Sequence, residues 1–258
     1  MTPPHPPAAE PDRKLLPAPD HDDQSSYAYR QVIGSLGLVL PFLLRFLAGE
    51  RPTPGLPPWE LLDSISAYYF TGAVAAFVGV LVALAVFLLT YKGYQNEHGR
   101  QDRVAGIIAG CAAVLVAFFP TRPPEGVPAP SWWTPGTGTI HFIGAAVLFG
   151  AFAYFSLFLF PKSNVRSWKE QPWDKKARNV VYIGCGLGIL LCILYAWRAH
   201  AGGRSIFWPE ALALELFAVS WLAKGRFGWL AVTVGKGTLH YALHPRQLVD
   251  TARRAVRG

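Results

Sequence analysis

Charge is what this sequence has least of. Only 16% of its 258 residues are Asp, Glu, Lys or Arg, where a soluble domain carries roughly a quarter. The scarcity is uneven. From Ser64 to Tyr91 there is no charged residue at all, a run longer than the roughly 20 residues that cross a bilayer core. Cysteine is scarce too: Cys111, Cys185 and Cys192 are odd in number, form no CxxC pair and fall within apolar runs. They give no sign of a disulfide framework or a zinc site and read as small apolar packing residues. The first thirty residues are rich in Pro and acid but have no apolar core. They lack the basic start and apolar run of a secretory signal and read as a disordered tail.

What is abundant is hydrophobic sequence, 52% of the chain, and it comes in blocks. These run from Gln31 to Ala48, Ser64 to Tyr91, Val104 to Thr121, Ile140 to Pro161, Asn179 to Trp197 and Ile206 to Ala223. Backbone polar groups inside lipid must satisfy each other, so segments of this length are expected to be helices. The expected fold is therefore all-α, a polytopic membrane protein with a six-helix transmembrane bundle over 31–224. A tail over 1–30 precedes it, and a basic tail over 225–258 follows.

The net charge of +8 would suit nucleic acid if it were clustered on a soluble face, but its distribution suits a membrane. With six spans both termini share a side. That side holds nineteen Lys and Arg residues: those of the first tail, of 92–103, of 162–178 and of the chain after Ala223. The other side keeps four, Arg51, Arg122, Arg198 and Arg204, while Arg45 falls inside the first block. Lys and Arg bias sets orientation, which predicts cytoplasmic termini in the cell (inner) membrane. Membrane lipids are the expected partners, with an amphiphilic small molecule next and no nucleic acid. In the final tail Leu248, Val249, Ala252 and Val256 can share one helical face with Arg253, Arg254 and Arg257 elsewhere, an interfacial pattern.

Small residues four apart recur at Gly106 and Gly110, Ala146 and Gly150, and Gly184 and Gly188. That spacing lets helix backbones approach closely in lipid, and it reads as packing within the bundle rather than dimerisation. Trp132, Trp133, Trp197, Trp208, Tyr91 and Tyr94 sit near block ends, as aromatic belts do.

Polar residues within or bordering the blocks gather on the predicted outer side. The second block opens with Asp63, Ser64, Ser66, Tyr68 and Tyr69; the fourth with His141; the sixth with Glu210 and then Glu215; and the first ends with Arg45. Each has a plain structural use. Asp63 or Ser64 suits a helix N-cap, the tyrosines suit a belt, Arg45 can reach the interface along its stem, and Glu210 suits a first turn. Glu215 is harder to dismiss, because about nine residues into its block it lies about 13 Å deep. A carboxylate at that depth costs roughly 2.5–3.5 kcal/mol unless it faces the bundle and finds a partner. His141 and Arg45 are the nearest candidates to pair with it, and protonation is the alternative. The expected site is an outward-facing pocket drawn from Asp63, Ser64, Ser66, Tyr69, His141, Glu215 and Arg45.

Chemical motifs are sparse. Ser, His and carboxylate are the parts of a nucleophilic triad, yet no GxSxG surrounds Ser64 or Ser66. His240 and His244 are four apart without the Glu of HExxH, and Gly235–Gly237 is only a fragment of a phosphate loop. Neither a metal nor a cofactor is expected.

The phrases "SISAYYFTGAVAAFVGVLVALAVFLLTYKGY", "AGIIAGCAAVLVAFFPT", "HFIGAAVLFGAFAYFSLFLF" and "ELFAVSWLAKG" resemble a bacterial family of uncharacterised six-helix membrane proteins. More remotely, the layout is similar to DRAM-like and GPI-remodelling membrane proteins. The resemblance covers about Ser64 to Gly225 and implies an integral membrane protein. A more distant likeness, to membrane ceramidase-like hydrolases, implies Ser, Asp and three His around zinc; here His240 and His244 fall on the opposite side from His141. The expected function is binding of a lipid, headgroup or other amphiphile. The alternatives are a membrane-embedded hydrolase using the same residues and a structural or partner-binding protein.

Overall fold

The computed structural model describes residues 21–49, 60–92, 99–162 and 173–225. Among these residues every regular element is helical. They comprise α1 (His21–Leu47), α2 (Val74–Leu89), α3 (Gly99–Phe118), α4 (Pro135–Tyr154), α5 (Trp173–Ala201) and α6 (Phe207–Lys224). A short 3-10 helix (Ser66–Phe70) leads into α2, and a π turn (Phe155–Leu159) ends α4. Four helices are long and apolar enough to cross a membrane, over Tyr27–Leu47, Gly99–Phe118, Pro135–Leu159 and Lys175–Ala201. α2 is equally apolar but has only 16 residues.

Each helix packs against its neighbours in sequence, and α6 closes on α1. The result is a ring of six helices around a shared interior. Aromatic rings fill one part of that interior: Phe152 stacks on Phe217 with centroids 3.6 Å apart, and Trp221 meets Phe155, Phe160, Phe217 and Tyr91 edge-on or tilted. Deeper in the interior Ser156 Oγ donates to Ser220 Oγ at 2.8 Å, with both residues fully buried.

Close helix approach follows the small residues in part. A Cβ added at Gly106 would stand 2.8 Å from the Leu88 carbonyl oxygen, and one at Gly110 would stand 2.6 Å from Leu89 Cγ. Only glycine lets α3 lie that near α2, so this pair packs within the chain. The other two pairs divide. Gly188 abuts Leu216 on α6, whereas Gly150 and Gly184 face open space. The glycine of α5 that abuts the π turn of α4 is Gly186, against Leu157, two residues off the expected spacing.

Two boundaries differ from the sequence reading. α1 begins at His21, ten residues before its apolar block, so the last part of the stretch read as a tail is helical. The second block is not one helix. It starts as the 3-10 turn, extends at Thr71 (φ −122°, ψ 179°) and only then enters α2. The break is built from local bonds: Thr71 Oγ1 donates to the Tyr68 carbonyl at 2.7 Å and accepts from Ala73 N–H at 3.1 Å. Gly72 N–H reaches the Ala48 carbonyl beyond α1, and its α-carbon lies where a Cβ would be 3.1 Å from the Leu47 oxygen. A side chain there would push α1 away.

Candidate functional site

Much of the candidate set meets at the end of the bundle where α6 begins. Ser64 Oγ accepts from Ala67 N–H at 3.0 Å, closing the start of the 3-10 turn. The N-cap position of the turn is Ile65 and that of α2 is Ala73, so neither Ser64 nor Asp63 is the expected N-cap. Ser64 braces the turn from one residue earlier, and Asp63 acts through its backbone. The Asp63 carbonyl accepts from Ile206 N–H at 2.7 Å and from Ser205 Oγ at 3.1 Å, tying the turn to the entry of α6. Glu210, in the first turn of α6, then takes the Ile65 N–H on Oε2 at 2.7 Å. A carboxylate from a distant helix therefore satisfies one of the free backbone donors that a helix start always leaves.

Ser66 and His141 form the centre of this end. His141 Nε2 and Ser66 Oγ are 2.9 Å apart, and His141 Nδ1 lies 2.7 Å from the Phe119 carbonyl. A carbonyl only accepts, so Nδ1 carries a proton; in the neutral ring Nε2 is then the acceptor and the Ser66 hydroxyl donates. The arrangement fixes the imidazole orientation, caps the C-terminal end of α3 and leaves the serine proton pointing at a base. His141 is 2% exposed and Ser66 8%, so both sit inside the bundle.

Two further groups matter here. Tyr68, two residues along the same turn, is fully buried, with its ring 5.9 Å from Phe207. Its hydroxyl has no hydrogen-bond partner among the described residues, which is unusual because a buried tyrosine generally finds one. Glu215 lies deeper on α6, and its Oε1 is likewise enclosed without a partner among the described residues. His141 is not its partner, since both ring nitrogens are engaged by Phe119 and Ser66. Tyr69 is half-buried and packs edge-on against Phe70 and Phe77, an aromatic packing role. Arg45 stands half-buried in the last turn of α1.

A second polar concentration, missed by sequence reasoning, lies at the other end of the ring. Arg30, Asp102, Asn179 and Lys224 are all buried there. Lys224 Nζ donates to the Phe160 carbonyl at 2.9 Å and lies over the Phe160 and Tyr182 rings, and Lys175 Nζ reaches the same carbonyl at 3.2 Å. Arg30 Nε donates to Tyr91 Oη at 3.4 Å. The physical reason is the end of α4. After the π turn the Phe160 carbonyl has no onward helical partner, and the negative end of a helix dipole attracts ammonium groups. Gln31 Nε2 similarly caps the Gly225 carbonyl beyond α6 at 2.9 Å. The signal in the sequence was only positional. Charges at block ends look like loop charges until a neighbouring helix end is known to face them.

Among the described residues no three His, Cys, Asp or Glu side chains come together in a way that could hold a metal ion. His240, His244 and the basic tail lie outside the described residues. Cys185 and Cys192 are buried as small packing residues, while Cys111 faces outward from α3. No family model, curated protein or solved structure matches this chain.

Proposed function

We propose that this chain is a six-span integral protein of the cell membrane, with both termini cytoplasmic, that binds the polar head of a lipid-like amphiphile at its Ser66 end. Several features support the membrane reading. Four helices have the length and hydropathy to span. Large apolar side chains also face outward around the ring, among them Phe42, Val86, Ile108, Ile143, Leu191 and Leu212, more apolar surface than a soluble monomer tolerates. α2 reaches span length together with its 3-10 lead, and α6 completes the six. The Lys and Arg bias supplies the orientation.

The observation that carries the ligand reading is the Tyr68 hydroxyl, enclosed and unpartnered two residues from Ser66. A headgroup oxygen entering between the 3-10 turn and α6 would give that hydroxyl its acceptor and find Ser66 close by in the chain. If the reading is right, Tyr68→Phe leaves the thermal midpoint in detergent almost unchanged, since no protein hydrogen bond is lost. It also strips co-purifying lipid from the protein as seen by native mass spectrometry. Lipid retained at wild-type level would remove the headgroup site.

The Ser66–His141 tautomer favours a second reading, ester hydrolysis. Ser66 Oγ would attack an ester carbonyl carbon while His141 Nε2 takes the hydroxyl proton. The imidazolium would return that proton to the departing alkoxide, and water activated by the same nitrogen would release the acid and restore Ser66. A fluorophosphonate probe that labels the wild type but not Ser66→Ala would establish this mode over simple binding. A wild type that stays unlabelled removes it.

A further inference from the structure

α3 and α4 touch at one end and part at the other. At Gly144 an added Cβ would stand 3.0 Å from Leu115 Cβ and 3.3 Å from the Ala112 carbonyl oxygen, so the two helices are nearly in backbone contact. Six residues on, at Gly150, an added Cβ meets nothing within 4 Å. The wedge between them is a groove of about 480 Å³, within the roughly 300–1,000 Å³ typical of ligand pockets. Val104, Ala105 and Ile108 form one wall, and Val147, Gly150 and Tyr154 belong to the other. From Ile108 to Arg100 it follows α3 for about 12 Å.

Its polar groups gather at the wide end. Arg100 and Gln101 stand there, in the first turn of α3, and the Lys162 ammonium hydrogen-bonds the Gln101 side chain across from the end of α4. Arg103 is exposed one turn above Arg100. An apolar slot that opens on the membrane side of two helices and ends in cations at the interface matches one chemistry. A hydrocarbon chain fills the slot while an attached anion meets the cations. Water is a poor occupant, because the walls offer it few partners.

We propose that this groove holds one acyl chain of an anionic phospholipid, with its phosphate set between Arg100 and Lys162. The proposal rests on the chain spanning a membrane but on neither its orientation nor the Ser66–His141 site, so it stands or fails separately from the headgroup reading. A zwitterionic lipid brings the same chain without net charge, and inorganic phosphate brings the charge without a chain.

The test uses the full-length protein in detergent, equilibrated with equal amounts of dioleoyl phosphatidylglycerol and dioleoyl phosphatidylcholine and read by native mass spectrometry. Wild type should retain one phosphatidylglycerol in preference to phosphatidylcholine by roughly fivefold or more. Gly150→Leu fills the slot and should lower that retention by a similar factor, with the thermal midpoint checking that the bundle is intact. Should Gly150→Leu fail to fold, Ile108→Phe narrows the same slot from the opposite wall. Arg100→Gln with Lys162→Gln should keep a bound lipid but erase the preference between headgroups. Equal retention of both lipids by wild type overturns the proposal. So does phosphatidylglycerol held undiminished by a folded, slot-filled variant, since that result means annular lipid only.

Discussion

Glu210 caps a helix it does not belong to: its Oε2 accepts the Ile65 backbone N–H at 2.7 Å, across 145 residues of chain. The first turn of one helix thus supplies the missing acceptor for the first turn of another. Removing that acceptor leaves a buried donor without a partner, which costs roughly 1–3 kcal/mol. Glu210→Ala should therefore lower the unfolding midpoint in detergent clearly. Glu210→Gln, which keeps a carbonyl oxygen, should lose less. Equal losses for the two would mean that the carboxylate charge, not the hydrogen bond, is what holds the turn.

Ser66 and His141 should prove energetically coupled. His141→Ala removes both the Phe119 cap and the partner of the Ser66 hydroxyl, while Ser66→Ala removes only the second. A double-mutant cycle on stability should give a coupling of roughly 0.5–3 kcal/mol, in the range for residues in direct contact. His141→Ala alone should cost more than Ser66→Ala. Strict additivity would contradict the 2.9 Å contact.

Threading is checked by single cysteines in a background where Cys111, Cys185 and Cys192 are replaced. Positions 96 and 168 lie in the two internal segments rich in Lys and Arg, and position 128 lies between α3 and α4. In intact cells an impermeant thiol reagent should label a cysteine at 128 and spare those at 96 and 168. The reverse pattern would turn the protein over and place the Ser66 end in the cytoplasm.

The broad plan was legible because it depends on composition: six apolar blocks give six helices, and Gly106 with Gly110 marks a real close approach to α2. Ser66, His141 and Glu210 were legible as polar residues at matching block ends, because helices that alternate in direction bring those ends together. What the sequence concealed was orientation about each helix axis. Spacing alone cannot say that Gly186 faces α4 while Gly184 and Gly150 face open space, nor that Tyr69 packs on neighbouring rings while Tyr68 is enclosed. The break at Thr71 was hidden for another reason. Its bonds to Tyr68 and Ala73 are side-chain alternatives to helix that Thr offers at any position. The buried Lys224 and Arg30 were hidden because their partners are helix ends and rings on other helices.

The lead into α2 is assembled from material that a ribosome delivers much later. Ser66 waits for His141, and the Ile65 donor waits for Glu210, with Asp63 likewise clamped by Ser205 and Ile206. A nascent chain that ends after α5 still carries an unfinished lead into α2, because the 3-10 turn lacks its partner from α6. The last helix is therefore the one that completes the second. A chain cut before Phe207 should lodge in the membrane with its early segments open to quality-control proteases, and adding the missing helix as a separate peptide should protect them.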